Sequence, residues 1–342
     1  MRAMVLEATM DLARNRIPLV RAEKPVPEPG EGEILVMVST CGVCHTEIDE
    51  IEGRMAPTRF PVVLGHQVVG RVETLGPRAG AWRAGDRVGV AWIHSACGTC
   101  RHCLAGNENL CADFRATGRD ADGGYAEYMT VGESFAHAIP EAFTDAEAAP
   151  LLCAGAIGYR SLRLAGLRDG EVLGLTGFGA SAHLVLMMAR HRYPASKVFV
   201  FARSAREREF ALALGAAWAG DTADKPPALC AAVIDTTPAW KPVVEALRRL
   251  EPGGRLVVNA IRKESADAGE LLRLDYATHL WMEKEIKSVA NVARADVREF
   301  LALAAAIPIR PEVEEYPLED ANRALVELKA GDVRGAKVLR VP

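Results

Sequence analysis

The sequence of 342 residues has no surplus of positive charge. Its 41 Lys and Arg residues stand against 45 Asp and Glu residues, and the formal net charge at pH 7 is −4. A nucleic-acid-binding protein needs a basic face for the phosphates, so this balance disfavours such a partner. The chain also has no apolar run of the ~18–20 residues that a membrane-spanning helix requires, because its longest apolar segments, 210–220 and 300–307, are interrupted by Gly or too short. We therefore expect neither a nucleic-acid partner nor a membrane span.

Signals for secretion, repeats and low complexity are missing as well. The N-terminal segment, MRAMVLEATMDLARN, has no apolar stretch of signal-peptide length. The composition, 49% apolar and 25% charged, excludes collagen-like, mucin-like and disordered chains and is typical of a globular protein, here of about two domains. We expect a cytoplasmic protein. Disulfides are rare in that compartment, so the eight cysteines point to metal binding or catalysis before bridges.

The two parts of the chain follow different patterns. Up to about residue 150, short β-type runs such as EILVMVST and AGDRVGVAW are separated by Gly- and Pro-rich turns, which predicts a folded-over sheet or barrel. Between about residues 155 and 290, strands alternate with helices, which predicts a doubly wound parallel sheet that binds a nucleotide. The strands are predicted at 171–176, 197–201, 231–235 and 255–259, and the helices at 181–192, 205–214 and 241–250. In the tail, helices predicted at 296–306 and 318–329 flank a β-type run at 311–316.

Four cysteines lie within one short segment, CGTCRHCLAGNENLC. Thiolates at the spacing C-x2-C-x2-C-x7-C can close a tetrahedral zinc site, and with all four positions filled such a site holds a fold but cannot catalyse. One alternative is a pair of disulfides, which suits a cytoplasmic chain poorly. Another is an iron–sulfur cluster, but the bacterial ferredoxin spacing ends C-x3-C-P. We interpret the segment as a structural zinc site with the ligands Cys97, Cys100, Cys103 and Cys111.

A glycine-rich turn stands between a predicted strand and a predicted helix. In GLTGFGASAH, Gly177, Gly179 and Ala182 match the pattern G-x-G-x-x-G/A. The first glycine allows a tight turn, and the second lets the backbone approach a pyrophosphate. The small third residue lets the helix pack on the strand with its N-terminus at the phosphates. The match is weak by itself, but its place in a strand–helix–strand unit makes it a strong indication of a dinucleotide site.

Two further segments, TCGVCHTEID at 40–49 and PVVLGHQ at 61–67, are weak signals when taken singly. A lone His after Gly is more often a core or loop residue, and a redox pair at 41–44 would need a thioredoxin-like unit around it. Together, the segments GVCHT and GH, the four-cysteine segment, the glycine-rich turn and APLLCAG at 149–155 make the chain resemble the zinc-dependent medium-chain alcohol dehydrogenases. The resemblance covers essentially the whole chain.

The resemblance implies an α/β fold in which a β-rich, GroES-like catalytic domain is joined to a Rossmann cofactor domain with a doubly wound parallel sheet. The catalytic domain is expected at 1–152, with its structural-zinc lobe at 97–111. The dinucleotide-binding domain is expected at 153–290. Residues 291–342 are expected to return to the catalytic domain.

The resemblance also implies a second, catalytic zinc held by Cys44, His66 and Cys153. Three protein ligands leave a fourth position open, which catalysis requires. Without the family, a lone cysteine in an apolar stretch, as Cys153 is, would be interpreted as a core residue.

The activity that the resemblance implies is hydride transfer between an alcohol or aldehyde and a nicotinamide cofactor, with zinc as Lewis acid. By position, Thr46 matches the hydroxyl residue that passes on the alcohol proton, and Glu47 matches a carboxylate that orients the ligand His. His45 matches a residue that commonly contacts the cofactor pyrophosphate. The family usually has Asp at the position of Glu47. At the position of Asp49 it often has His, the outer end of a proton relay.

Two more positions depart from the family pattern. Gln67 stands where Glu is usual, and Gly335-Ala336 stands where Gly-Arg is frequent, with Arg334 as a nearby substitute. With Asp49, these departures support an alternative of another class, a non-catalytic nucleotide-binding protein that keeps only the structural zinc. The intact residues Cys44, Thr46, His66 and Cys153 favour the enzyme.

The end of the second strand in the nucleotide-binding domain bears on the choice of cofactor. NAD enzymes usually carry Asp or Glu there for the ribose hydroxyls, but this chain has Ala202, followed by Arg203, Ser204 and Arg206. Arginines suit a 2′-phosphate, and the pattern resembles the NADP-using members of the family. We expect NADP, with NAD as the alternative if these arginines are only solvated residues at a helix start.

Substrate and assembly are less determined. Trp92 lies just before the cysteine segment, where the family often carries an aromatic pocket wall, although core packing explains a Trp equally well. Such a wall suits a primary alcohol or aldehyde, aliphatic or aromatic. The family forms dimers and tetramers, and residues 286–292 are a candidate edge strand for subunit pairing. We expect two zinc ions per chain, a small-molecule substrate and a homodimer or homotetramer.

Overall fold

In the computed structural model, residues 1–307, 309–331 and 335–342 are described. The chain divides into two compact units. Met1–Cys153 and Val292–Pro342 form one, which we call the β-rich unit, and Ala154–Asn291 form the other, which we call the parallel-sheet unit. Arg334, the suggested substitute for a family arginine, lies outside the described residues.

Both units contain β-strands and α-helices. In chain order, the strands are β1 (Arg2–Leu6), β2 (Leu19–Glu23), β3 (Glu33–Val43), β4 (Val62–Val63), β5 (Val68–Leu75), β6 (Arg87–Val90), β7 (Ile93–Ser95), β8 (Arg115–Ala116), β9 (Tyr128–Gly132), β10 (Ala136–Ala138), β11 (Val172–Thr176), β12 (Lys197–Phe201), β13 (Trp218–Gly220), β14 (Cys230–Asp235), β15 (Leu250–Val258), β16 (Glu285–Ser288), β17 (Val313–Pro317) and β18 (Ala336–Arg340). The α-helices are α1 (His45–Ile51), α2 (Arg101–Leu104), α3 (Asp145–Pro150), α4 (Ala156–Ala165), α5 (Ala180–Arg192), α6 (Ala205–Ala213), α7 (Lys241–Arg249), α8 (Arg294–Ala306) and α9 (Ala321–Ala330). Short 3₁₀ segments occur at Glu108–Leu110, Glu133–Phe135, Ala268–Arg273 and Leu318–Asp320, and π-helical turns at Leu151–Gly155 and Tyr276–Leu280.

The β-rich unit is built around β3, the strand EILVMVSTCGV. The main sheet has the order β10-β6-β5-β3-β18-β17, and β9 also pairs with β3. β17 and β18 are parallel, whereas the other pairs of this sheet are antiparallel. Ile34, Val36 and Val38 are buried in the core, as expected of apolar and β-branched residues in a strand with neighbours on both sides. Because β3 runs on to Val43, helix α1 begins directly after a buried strand.

Two smaller sheets complete the β-rich unit, one of order β2-β1-β4 and one formed by β7 and β8. The β7–β8 pair flanks the cysteine segment, since β7 ends at Ser95 and β8 begins at Arg115. The segment is therefore an excursion whose two ends are held together by strand pairing.

The parallel-sheet unit has one six-stranded sheet of order β13-β12-β11-β14-β15-β16, with every pair parallel. The order reverses between β11 and β14, and ligands of open parallel sheets bind beyond the carboxyl ends of the strands at such a switch point. The predicted fold class, a β-rich domain with a doubly wound parallel-sheet domain, is confirmed. In the part of the chain that the structure describes, no helix has both the length and the apolar character needed to cross a membrane.

Candidate functional site

The sulfur atoms of the four-cysteine segment converge. All four Sγ atoms lie within 4.8 Å of one another. The Sγ–Sγ distances are 3.5 Å for Cys97–Cys111, 3.6 Å for Cys100–Cys103 and 3.8 Å for Cys97–Cys103. Zinc with four Zn–S bonds of ~2.3 Å requires sulfur separations of about 3.8 Å, whereas a disulfide brings two sulfurs to about 2.05 Å. The thiols are free, so the geometry fits a tetrahedral metal site and not a pair of bridges.

Backbone hydrogen bonds and burial shift the pKa values of the cysteines in this cluster. Hydrogen bonds from the backbone N–H groups of Thr99 and Cys100 lower the pKa of Cys97 to about 6. Burial raises the pKa of Cys103 to about 12. The lowered pKa favours the thiolate form of Cys97, which is the form that binds a metal.

Cys44, His66 and Cys153 come together in the β-rich unit, with their ligand atoms all within 4.8 Å of one another. Cys44 is the N-cap of α1, His66 lies between β4 and β5, and Cys153 lies in the π-helical turn Leu151–Gly155. Sγ of Cys44 is 3.6 Å from Nε2 of His66. A tetrahedral zinc with bonds of ~2.3 Å to sulfur and ~2.05 Å to nitrogen places these two atoms about 3.6 Å apart. Two thiols and one imidazole at this spacing fit zinc.

A glycine fixes the chain just before the ligand histidine. Gly65 has φ +96°, and a Cβ at this position would lie 2.4 Å from Cδ1 of Tyr125. Any side chain would thus meet both a strained backbone and a buried ring. The GH pair of the sequence has this steric origin.

Glu47 holds the other side of the imidazole. Its Oε1 lies 2.6 Å from Nδ1 of His66, and its Oε2 accepts a hydrogen bond of 2.8 Å from the backbone N–H of Cys44. The backbone N–H of Thr46 donates to Sγ of Cys44 over 3.3 Å. One carboxylate therefore orients two of the three candidate ligands, and Nε2 of His66 is left to face Cys44.

The electrostatics of this group follow from burial and proximity. Burial disfavours the charge on Glu47, but His66 and the N–H of Cys44 outweigh it and lower the pKa of the carboxyl group. Burial opposes the charge on His66 too, yet Glu47 and Cys44 raise its pKa well above the usual value. The hydrogen bond with Cys153, together with burial and Glu47, raises the pKa of Cys44 well above its usual value. A divalent cation among these atoms exchanges for protons, so metal binding here depends on pH.

The remaining predicted residues of α1 differ in exposure. His45 is exposed and Thr46 is partly buried. Asp49 is buried, and its Oδ1 accepts a 2.6 Å hydrogen bond from Nε of Arg54. Arg54 also contacts Glu52. Asp49 therefore sits in an ion pair whose cation the sequence did not single out, because the partner lies beyond the end of the helix.

Gln67 and Trp92 are both nearly inaccessible to solvent. The backbone carbonyl of Gln67 accepts a 2.9 Å hydrogen bond from the N–H of Gly42, while its Nε2 has no hydrogen-bond partner among the described residues. The ring of Trp92 packs against Phe114 with centroids 5.2 Å apart. Both residues belong to the β-rich unit, which also holds the candidate ligands.

Two buried polar residues in this unit escaped sequence reasoning. Glu50 and Tyr125 are fully inaccessible, and burial, reinforced by the charge of Glu47, raises the pKa of each well above its ordinary value. Glu50 stands in the run TEIDEIE, which looks like a solvated helix face, so no local pattern signals its burial. Only the packing of α1 reveals it.

In the parallel-sheet unit, the glycine-rich turn connects β11 to α5. Gly177 has φ +75°, and a Cβ there would lie 2.9 Å from Cγ2 of Thr237. Gly179 is the N-cap of α5, and a Cβ there would meet nothing within 4 Å. Ala182 is fully buried. The N-terminus of a helix of 13 residues thus faces open space, which fits a pyrophosphate.

The predicted cofactor-selecting residues follow β12, which ends at Phe201. Ala202 is buried, while Arg203, Ser204 and Arg206 are exposed at the start of α6. Nη1 of Arg208 donates to the backbone carbonyls of Ala202 and Arg203 at 2.7 and 2.8 Å. Arg208, which sequence reasoning did not select, therefore fixes the strand end and leaves the other two arginines facing solvent.

A second feature that was missed lies at the end of β14. Asp235 is fully buried and accepts a 2.6 Å hydrogen bond from Oγ1 of Thr176, the residue before Gly177. The ammonium group of Lys263 contacts its other oxygen. The hydrogen bond between Thr176 and Asp235 joins the ends of β11 and β14 beside the glycine-rich turn. No motif marks Lys263, which is 28 residues away from Asp235 in sequence.

Comparison with known proteins relates the chain to a class of oxidoreductases. Residues 30–141 match the family model of the alcohol dehydrogenase GroES-like domain. The probable alcohol dehydrogenase AdhA of Mycobacterium tuberculosis (strain CDC 1551 / Oshkosh) is 45% identical over 329 residues, which cover 95% of this chain and 93% of that protein. The chain therefore belongs to the zinc-type medium-chain alcohol dehydrogenase family, and it is an oxidoreductase of that class.

Solved structures agree with this membership. A cobalt- and zinc-bound thermostable alcohol dehydrogenase from Pyrobaculum aerophilum is 26% identical, with a TM-score of 0.86 and 99% of each chain covered. A cinnamyl alcohol dehydrogenase from Sorghum bicolor is also 26% identical, with a TM-score of 0.83, 99% of this chain covered and 97% of the other. The predicted family, enzyme class and Rossmann-type architecture are thereby confirmed.

Proposed function

We propose that this enzyme transfers a hydride between a primary alcohol or aldehyde, aliphatic or aromatic, and a nicotinamide cofactor, NADP in preference to NAD. The observation that carries the proposal is the arrangement of Cys44, His66 and Cys153, whose ligand atoms lie within 4.8 Å of one another. We assign these residues as ligands of a catalytic zinc and the four-cysteine segment as the ligands of a structural one, two ions per chain.

Zinc bound by three protein ligands supplies a Lewis acid with one open position for the substrate oxygen. The residues of the chain orient the zinc ligands and accept a proton from the substrate. Glu47 fixes the ring of His66, and the N–H of Thr46 fixes the sulfur of Cys44. The hydroxyl of Thr46 is assigned to accept the proton that the alcohol loses on oxidation. The roles of His45 at the cofactor and of Asp49 in proton release rest on the family resemblance alone and stay predictions.

The preference for NADP rests on the exposed arginines after β12. Arg203 and Arg206 have no carboxylate partner among the described residues, and Ala202 offers no acceptor for ribose hydroxyls. A 2′-phosphate would gain charge-assisted hydrogen bonds there, whereas NAD would gain nothing in exchange. Gly177, Gly179 and Ala182 serve either cofactor. NAD is therefore the alternative with the same fold and reaction.

The proposal extends to the substrate pocket and to the assembly of subunits. Trp92 is proposed as a wall of the substrate pocket, and the similarity to a protein named cinnamyl alcohol dehydrogenase supports an aromatic alcohol among the substrates. For assembly, β16 is the edge strand of its sheet, and its four residues are exposed. Trp281 and Met282, just before it, are exposed too. We propose pairing through this edge in a homodimer or homotetramer, and the cytoplasmic location stays a prediction.

The deciding experiment measures zinc per chain and turnover on protein purified without chelator. Two zinc ions and turnover of a primary alcohol with NADP are expected. Cys44→Ser should lose one zinc and the activity while its circular dichroism stays that of the parent, and Cys230→Ser should keep both ions. One zinc per chain after resupply, with no turnover of any alcohol or aldehyde with either cofactor, would establish the non-catalytic alternative.

A further inference from the structure

A cavity of about 450 Å³ opens in the β-rich unit beside β10 and the start of α8. Its lining includes Trp82, Glu108, His137, Arg294 and Arg298. None of these residues belongs to the candidate zinc ligands or to the glycine-rich turn. The volume lies within the range of pockets that hold small molecules.

His137 is a buried base without a partner. It is the middle residue of β10, pairs with Gly89 of β6 and is only 7% exposed. Its Nε2 has no hydrogen-bond partner among the described residues. Burial, together with the charges of Arg298 and Arg294, lowers the pKa of its imidazole to about 4. The ring is therefore neutral at pH 7, and its unused nitrogen is the kind of buried polar group that native proteins normally satisfy.

The two arginines are not equivalent. Nε of Arg294 donates to Oε1 of Glu108 over 2.5 Å, and its guanidinium lies 4.7 Å from the centroid of the Phe135 ring. Arg298, one helical turn later, is exposed and has no ion pair or hydrogen bond within the described part of the chain. With Glu108 neutralising Arg294, one positive charge remains in the lining. That charge belongs to Arg298.

We propose that this cavity binds a small phosphate-bearing anion, either inorganic phosphate or a phosphate monoester, between the guanidinium of Arg298 and the imidazole of His137. A guanidinium presents a fork of N–H groups that matches two phosphate oxygens. The neutral imidazole donates one further hydrogen bond and loses nothing, because Nε2 is otherwise unsatisfied. Arg294 and Ala295, the first residues of α8, also lie in the lining, so the N-terminus of a helix of 13 residues adds to the attraction.

The charge of the cavity lining favours a phosphate group over a metal ion or a purely apolar ligand. Two arginines exclude a cation, and a free guanidinium is poorly suited to an apolar molecule. The cavity is several times larger than one phosphate group, so it can hold a monoester with a short carbon chain. Which of the two sources supplies the phosphate is decided by experiment.

The test is calorimetric titration of the zinc-loaded enzyme with inorganic phosphate at pH 7.5, followed by glycerol 3-phosphate. Arg298→Gln and His137→Gln should each weaken phosphate binding by about tenfold or more. Arg16→Gln, which removes an exposed arginine outside the cavity, should change nothing. Arg203→Gln distinguishes this site from the cofactor site and should also leave the binding in place.

A second readout does not depend on variants. In enzyme labelled with ¹⁵N-histidine, phosphate should shift the ring nitrogen signals of His137 and raise its pKa, since a bound anion favours the imidazolium. Binding of inorganic phosphate but not of glycerol 3-phosphate identifies free phosphate as the ligand, and binding of both identifies a site open to monoesters. Equal affinity in the parent, Arg298→Gln and His137→Gln, or a His137 signal that phosphate does not move, overturns the proposal.

Discussion

Oε1 of Glu47 lies 2.6 Å from Nδ1 of His66, so the imidazole turns its Nε2 towards Sγ of Cys44, 3.6 Å away. Glu47 is not among the three residues whose ligand atoms converge, Cys44, His66 and Cys153. Its effect is to select the tautomer and the orientation of the ring, and to hold negative charge behind it. A residue can thus control the metal without being a ligand.

This relationship predicts the behaviour of Glu47→Gln. The amide keeps the size of the side chain but loses the charge, so zinc affinity at Cys44, His66 and Cys153 should fall about 10- to 100-fold. Competition with a chromogenic chelator measures the affinity of the more weakly held ion. Glu52→Gln changes a carboxylate near the same helix that pairs with Arg54 and Lys329 and serves as control. Unchanged zinc affinity in Glu47→Gln would show that the carboxylate has no such role.

The four-cysteine segment supplies a second prediction. Cys100→Ser should remove one zinc per chain and lower Tm by about 5 °C or more, because the energy of a structural zinc site is folding energy. Specific activity of the remaining folded enzyme should stay near that of the parent. Zinc analysis and a thermal melt check both points. A variant with full zinc content and an unchanged melt would contradict the structural assignment.

Local patterns were enough to predict β11, β12, β14 and β15 with the helices α5, α6 and α7 between them, although they predicted neither β13 nor α4. They were also enough to interpret the cysteine segment as a metal site. In the parallel-sheet unit β12, at Lys197–Phe201, is a short apolar run bounded by turn residues, so its pattern is complete within a few positions. The convergence of Cys97 to Cys111 needs only one loop. Both the strands and the cysteine cluster depend only on residues that lie close together in sequence.

What could not be predicted depends on distant partners. The burial of Glu50 and the pairing of Lys263 with Asp235 are set by packing between segments far apart in sequence. The π-helical turn that carries Cys153 follows a helix containing Pro150, and a proline there indicates a break without indicating its form. Among the proposed zinc ligands, residue spacing alone left Cys153 as a core residue; only the family resemblance selected it.

Cofactor choice gives the third prediction. Arg203→Ala should raise KM for NADP about tenfold or more, the cost of one charge-assisted hydrogen bond, and change KM for NAD less than about twofold. Arg273→Ala removes an arginine that pairs with Glu270 in the same unit and controls for net charge. Steady-state kinetics with both cofactors is the measurement. Equal effects on the two constants would remove the argument for NADP.

The fourth prediction concerns the stability of the protein at low pH. Burial and the neighbouring Arg298 and Arg294 lower the pKa of His137 to about 4, with Glu108 opposing, whereas an unfolded imidazole titrates near ~6.5. Between these values the unfolded chain binds a proton that the folded chain does not, so stability present above about pH 6.5 is lost as the pH falls. At pH 5 the loss from this one group is about 2 kcal/mol.

The comparison of parent and His137→Gln isolates that contribution from other titrating groups. Urea unfolding at pH 7.5 and pH 5 should show the difference in unfolding free energy between the two proteins moving by about 2 kcal/mol in favour of the variant at the lower pH. A difference that stays the same at both values would mean that His137 is protonated as easily in the folded chain as in the unfolded one.

The last prediction concerns Lys263 and Asp235. The carboxylate is fully inaccessible and the lysine side chain is 9% exposed, so each charge depends on the other. Lys263→Met leaves Asp235 buried with the hydroxyls of Thr176 and Thr237 but without a cation, and should destabilise the enzyme by about 3–5 kcal/mol. The double variant Asp235→Asn with Lys263→Met should recover part of this loss, because the remaining amide is neutral.

Thermal and urea unfolding check this expectation, with Lys241→Met as the control for removing an exposed lysine, where a change within about 0.5 kcal/mol is expected. Since Thr176 directly precedes Gly177, the single variant should also bind the cofactor more weakly than the double variant. If Lys263→Met and Lys241→Met unfold alike, water reaches Asp235 and replaces the ammonium, and the strand ends at the glycine-rich turn are held by the two hydroxyls alone.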